Sequence, residues 1–278
     1  MTFGPVLTKR AKGSILAQSI YCSGRRLRKG MTLEEADIEL LSASGVNEVT
    51  VAQLQDKDVH ENQAAAELAE ALVPDVKAAG LERTSAFTGR VNLVAAGPGV
   101  VAQQTDRLIA LNSIDPMITF ATVPNYQQMQ KGGLVGTVKI ISYAVDEEKL
   151  RSACAMGAAA IKLMPPRLKT ASLLVSQGAN RSDEKGISAI KSRLDALGIT
   201  LEKVITSEHD INPMARALST LSSELLLILT SSATSDPNDT APAAVRAAGG
   251  QIDRFGIPVD PGNLLFLGHI QSRPVIGF

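Results

Sequence analysis

Leu225-Leu226-Leu227-Ile228-Leu229 is an uninterrupted apolar run between polar stretches. It is far too short to span a bilayer, which takes about 20 such residues. It suits a strand, and a strand with no polar face needs cover on both sides. A parallel sheet sandwiched between helices gives that cover. The neighbouring sequence supplies the rest of such a layer. Residues 173–176 read as a second apolar strand. Residues 186–197 read as an amphipathic helix, with Ile187, Ile190, Leu194 and Leu197 on one face and Gly198 as its stop. A strand follows over 201–205, then a helix over 213–221 with Asn212 as N-cap and Pro213 in its first position. Residues 239–248 read as the next helix, closed by Gly249-Gly250. Strands over 252–259, 264–267 and 275–276 complete the pattern, with Asp260-Pro261-Gly262-Asn263 as a type II turn. Strand and helix in strict alternation imply an α/β fold, a three-layer αβα domain over residues 166–278.

Met164-Pro165-Pro166 marks its start, because two prolines force an extended chain. Residues 1–165 read as an α+β region. A strand is expected over 13–21. Thr32 with Glu35 forms a capping box that opens a helix carrying Leu33, Ala36, Leu40 and Leu41 on one face. Gly45 ends it, and a strand covers 46–51. An Ala-rich helix covers 61–72. Short strands over 81–101 are broken by Gly89, Gly97, Pro98 and Gly99, and a helix follows over 103–111. A strand over 134–144 and a helix over 147–159 close the region.

Charge narrows the partners. The 28 basic and 28 acidic residues cancel, so the chain lacks the basic field of a nucleic-acid binder. Aromatic residues are 3% and Trp is absent, which argues against ring stacking as the main binding device. One basic cluster stands out, Arg25-Arg26-Leu27-Arg28-Lys29. It reads either as a solvated turn before a helix or as a phosphate-contacting loop. Cys22 and Cys154 are far apart and form no metal spacing. The first twenty residues hold no continuous apolar core of a secretory signal, so a cytoplasmic protein without membrane contact is expected.

In such sheets ligands bind outside the carboxyl ends of the strands, where helix N-termini point backbone N–H groups at them. After the apolar strand the chain reads Thr230-Ser231-Ser232-Ala233-Thr234-Ser235-Asp236-Pro237-Asn238-Asp239. Its small residues let a ligand approach the backbone. The hydroxyls of Ser231, Ser232 and Ser235 can donate to phosphate oxygens. Asp239 also fits as the N-cap of the following helix. Asp236 and Asp239 repel a phosphate unless Mg²⁺ bridges them or the ligand brings N–H donors of its own. Pro261, Gly262 and Asn263 form a second candidate wall. The loop 177–185, with Arg181, Asp183 and Lys185, forms a third. His60-Glu61 lacks the second His of a zinc helix, and His209 reads as a loop residue. No Gly-x-Ser-x-Gly elbow, Walker loop or dinucleotide fingerprint supports hydrolysis or nucleotide redox chemistry.

These residues resemble the molybdopterin-binding domain family, the fold shared by MoeA and MogA. The order Ser231-Ser232-Ala233, Asp239, Gly249-Gly250 and Asp260-Pro261-Gly262-Asn263 looks like the family's serine loop, acid, Gly-Gly break and Pro-Gly turn. Upstream, Gly13-Ser14-Ile15-Leu16-Ala17, Leu27-Arg28-Lys29-Gly30, Phe87-Thr88-Gly89-Arg90-Val91-Asn92-Leu93 and Thr137-Val138-Lys139-Ile140-Ile141 are similar to the bacterial MoeA-like subgroup. The resemblance implies binding of molybdopterin or its nucleotide adduct, Mg²⁺-dependent molybdate insertion and a homodimer, with other cofactor-biosynthesis proteins as partners. Asp236 and Asp239 would touch metal or pterin, and Ser231 and Ser232 the phosphate. Three departures accompany it. The family's Thr-Gly-Asp-Glu loop reads Ser176-Gln177-Gly178-Ala179 here, its Gly-Gly ahead of the serine reads Thr230-Ser231, and its Leu-Pro-Gly loop does not follow before Phe278. The lost acids leave a non-catalytic pterin carrier or regulatory module as the alternative.

Overall fold

The computed structural model describes residues 1–177 and 184–278. It divides into two units, Met1–Pro165 and Pro166–Phe278. No helix among the described residues is long and apolar enough to cross a membrane.

The first unit opens with β1 (Thr2–Leu7), β2 (Ile15–Leu16), β3 (Ile20–Cys22), β4 (Arg25–Leu27), α1 (Glu35–Ala43) and β5 (Glu48–Gln53). β5 lies between β1 and β2, antiparallel to both. Leu16, Leu27, Leu33, Leu41 and Val51 fill the core beneath. The strand expected over 13–21 is two strands. β2 pairs with β5, whereas β3 pairs with β4 in a hairpin, so the chain must bend between them. The basic cluster is therefore strand β4 and its exit rather than a turn. The capping box also shifts. Thr32 is held extended by a bridge to Ile15, and the Glu34 N–H donates instead to Asp37 Oδ2 at 3.1 Å.

The unit continues through β6 (Asp58–His60), α2 (Glu61–Leu72), α3 (Val76–Ala79), β7 (Leu81–Arg83), β8 (Arg90–Ala95) and β9 (Gly99–Gln103). It closes with α4 (Thr105–Asn112), β10 (Ile118–Thr122), β11 (Gln128–Met129), β12 (Leu134–Ile140), β13 (Ala144–Asp146), α5 (Glu147–Gly157) and β14 (Ile161–Met164). The antiparallel sheets β10-β12-β8-β7 and β11-β9-β14 share one core with α2, α4 and α5. Ala64, Ala65 and Ala69 on α2 are buried in that core, where their small side chains suit close packing of the helix. The strand expected to reach 144 stops at Ile140. The chain turns there and resumes as β13, which pairs with β6.

The second unit contains β15 (Thr170–Gln177), α6 (Glu184–Ala196), β16 (Thr200–Glu208), α7 (Ile211–Ser219), β17 (Leu225–Leu229), α8 (Thr240–Ala247), β18 (Gly250–Phe255), β19 (Phe266–Ile270) and β20 (Arg273–Gly277). Its single sheet runs β16-β15-β17-β20-β19-β18. β15, β16, β17 and β20 are parallel, and β19 runs against both its neighbours. The apolar run divides its side chains as its placement requires. Leu226 and Ile228 pack with Met214, Leu218, Ala244 and Val245 of α7 and α8. Leu225 and Leu227 pack on the other face with Ile190 and Leu194 of α6. α7 begins ahead of the expected start, because Asp210 rather than Asn212 caps it and accepts the Asn212 N–H at 3.1 Å. Pro213 still falls in the first turn, where a missing N–H costs nothing. The hydrogen-bonded turn after β18 joins Leu265 N–H to Gly262 O, two residues later than the expected 260–263 turn.

Candidate functional site

β15, β16 and β17 are neighbours and parallel, so their carboxyl ends open on one edge of the sheet. Each contributes a polar group there. Ser176 lies near the end of β15 and is fully buried. His209 follows β16, and Ser231 and Ser232 follow β17. The Ser176 Oγ accepts the Ser231 N–H at 3.0 Å and lies 2.9 Å from His209 Nδ1. The other ring nitrogen, Nε2, lies 3.3 Å from Ser232 Oγ. Either neutral tautomer completes this chain. If Ser176 donates to Nδ1, the Nε2–H donates to Ser232. If Nδ1–H donates to Ser176, the Ser232 hydroxyl donates to Nε2. The imidazole thus ties an exposed serine to a buried one.

The loop beyond is ordered by its own acids. Asp236 Oδ1 accepts the Asn238 N–H at 2.7 Å. Asp239 caps α8, with Oδ1 accepting Thr240 N–H at 2.7 Å and Oδ2 accepting Ser235 N–H at 3.2 Å. Arg246 from the far end of α8 donates to Pro237 O at 2.7 Å. Thr230 Oγ1 sits 2.6 Å from Ser232 O and 2.8 Å from Phe278 O, which fixes the start of the loop against the end of the chain. In contrast, the N–H groups of Ser232, Ala233 and Thr234 meet no acceptor among the described residues. Thr234 is 3% exposed. Three such donors in a row without an acceptor among the described residues, beside two serine hydroxyls and an imidazole, favour an anion.

Ser231, Ser232, Ser235, Asp236 and Asp239 therefore share one loop. The other candidates lie elsewhere. Pro261, Gly262 and Asn263 line an open apolar groove of about 760 Å³ on the α6 face, with Leu194, Leu227 and Ile276. Lys185 is exposed in the first turn of α6, beside the groove-lining Gly186. Asp183 and Arg181 lie outside the described residues. None of the residues 230–240 lines the groove. The Mg²⁺ expectation finds no support among the described residues. Both Asp239 oxygens and one of Asp236 accept backbone N–H groups, and no three His, Cys, Asp or Glu side chains gather among the described residues. His209, a solvated or hydrogen-bonded loop residue by sequence, joins this site together with Ser176, and neither stood among the expected ligand contacts. The signal for His209 was positional, the junction between a parallel strand and the following helix.

Residues 5–53 match the family model of a Domain of unknown function (DUF8806). No curated protein matches the chain. Among solved structures, the protein CinA of unknown function from Thermoplasma acidophilum is similar at 12% identity and a TM-score of 0.32, over 40% of this chain and 88% of that one. A molybdopterin biosynthesis MoeA protein from Pyrococcus horikosii is similar at 12% identity and a TM-score of 0.30, over 99% of this chain and 69% of that one. A molybdenum cofactor biosynthesis protein from Pyrococcus furiosus stands at 13% identity and a TM-score of 0.22, over 99% of this chain and 57% of that one. At these scores the likenesses carry no argument about ligand or reaction.

Proposed function

We propose that the second unit binds a phosphorylated heterocycle at the carboxyl ends of β15, β16 and β17. The ligand we assign is molybdopterin or its nucleotide adduct, in molybdenum cofactor biosynthesis. One observation carries the anion part of this reading: the N–H groups of Ser232, Ala233 and Thr234, which meet no acceptor among the described residues, beside the Ser231 and Ser232 hydroxyls and His209. A phosphate would offer acceptors to these donors, and a parallel sheet offers its ligand seat at this edge. The pterin part rests on the order Ser231-Ser232-Ala233, Asp239, Gly249-Gly250 and Asp260-Pro261-Gly262.

Binding without turnover is the better-supported form of the activity. The acids that a metal-dependent insertion draws on are engaged in capping the loop and α8. The protein is incubated with adenylated molybdopterin, molybdate and Mg²⁺, and bound pterin and released nucleotide are both measured. Saturable binding without nucleotide release is expected. Ser232→Ala and His209→Ala should each weaken it about tenfold, the loss of a hydrogen bond to a charged group. Release of nucleotide overturns the carrier form. Absence of pterin binding, or binding indifferent to both substitutions, overturns the site.

A further inference from the structure

The first unit holds a cleft that the pterin reading does not use. It encloses about 480 Å³ and is lined by residues distant in sequence, among them Phe3, Lys29, Glu61, Thr88, Lys139 and Tyr143. That volume is in the range of small-molecule sites, roughly 300–1,000 Å³.

Its chemistry is unusual for a plain surface dent. The Phe3 and Tyr143 rings lie nearly parallel, 12° apart in plane with centroids 6.4 Å apart. Tyr143 is pinned by its hydroxyl, which donates to Ala17 O at 3.3 Å. Lys29 Nζ sits 5.9 Å from the centre of the same ring. Lys139 Nζ donates to Thr88 O. Glu61, the first residue of α2, faces this space without a hydrogen-bond donor for its carboxylate among the described residues. Burial pushes its carboxyl up, against the pull of Lys139, His60 and Lys29. The carboxylate is seated against the backbone of Gly89. A Cβ there would fall 2.8 Å from Glu61 Oε2 and 2.8 Å from Ile140 O, and its φ of +67° favours glycine.

The cleft therefore offers three things together: a flat apolar wall, two ammonium groups and an acceptor-only carboxylate still short of donors. The complement is a flat ring with adjacent N–H donors and an anionic tail. Guanine presents its N1–H and 2-amino group side by side, matching the two oxygens of a carboxylate. Stacking on tyrosine suits its face, and a phosphate suits the lysines. We infer that this cleft, built from Phe3, Lys29, Glu61, Lys139 and Tyr143, binds a guanine mononucleotide. Its base edge pairs with Glu61, its ring lies on Tyr143 and its phosphate meets Lys29 and Lys139. Lys29 is thus the one member of the basic Arg25–Lys29 cluster that lines the cleft.

Calorimetric titration of the full chain with guanosine monophosphate tests this. Saturable binding is expected. Inosine monophosphate, which lacks the 2-amino group, and guanosine, which lacks the phosphate, should each bind about tenfold more weakly. Lys29→Ala should weaken guanosine monophosphate about tenfold. Glu61→Gln should erase the preference over inosine monophosphate. Circular dichroism checks that each variant is folded. No saturable binding, equal affinity for inorganic phosphate alone, or indifference to both Lys29→Ala and Glu61→Gln overturns the inference. None of these results bears on pterin binding, which is read separately through Ser232 and His209.

Discussion

Asp115 shows how one buried carboxylate can fasten two helices' worth of chain. It lies between α4 and β10 and is 8% exposed. Its Oδ1 accepts the Met117 N–H at 2.7 Å and its Oδ2 meets Lys149 Nζ of α5 at 2.6 Å. Burial alone would push this carboxyl up, but the Lys149 and Met117 hydrogen bonds and the Lys149 charge outweigh it and hold the group below its usual range. A carboxylate depressed on folding stabilises the fold above its unfolded value, and the contribution is lost as pH falls through the folded value. Asp115→Ala should therefore cost about 1–3 kcal/mol at neutral pH, the range for losing hydrogen bonds to a charged group. Denaturant melts of wild type and variant should converge as the pH drops below about 4. A gap that stays constant down to pH 2 would show that the charge contributes nothing. Cys154 behaves in the opposite sense. Burial, with Glu67 nearby, pushes its thiol up to about 11, so it is a packing residue and not a reactive one.

At the scale of elements, local signals were legible where a single segment settles its own fate. The run 225–229 is β17 to the residue, the Ala-rich 61–72 is α2, and Asp239 caps α8. What escaped depends on partners far away in sequence. The break between β2 and β3 follows from their different neighbours, and the end of β12 from the return to β6. The candidate site divides the same way. The hydroxyl loop after β17 could be read from its composition. The Ser176–His209–Ser232 chain could not, because it needs β16, β15 and β17 to lie side by side. Nor could the seating of Pro261–Asn263 over the apolar groove. A close contact between elements makes a sharper test. β19 and β20 pair so that Gly277 lies opposite Phe266, and a Cβ at Gly277 would fall 2.0 Å from the Phe266 ring. Phe266 is fully buried, so the ring has little room to retreat. Gly277→Ala should cost about 3 kcal/mol, at the upper end for overpacking. A thermal midpoint within 1–2 °C of wild type would mean that the two strands part easily, since about 1 kcal/mol moves a domain this size by several degrees.

For the molecule as a whole, the four main hydrophobic clusters respect the division after Pro165. Two draw only on residues before it and two only on residues after it. The second unit therefore carries its own core on each face of its sheet. Residues 166–278 expressed alone should be folded and should melt in one cooperative step, as small domains do. A fragment with no cooperative melt by circular dichroism would show that the first unit is needed for its stability. The row of six strands also has two ends, β16 and β18, each hydrogen-bonded to one neighbour. Unpaired borders of this kind recruit strands from other molecules and seed fibres. The nine residues of β16 include Lys203 and Glu208, and β18 includes Arg254. Charge at such a border is the usual guard against growth by accretion in a sheet without closure.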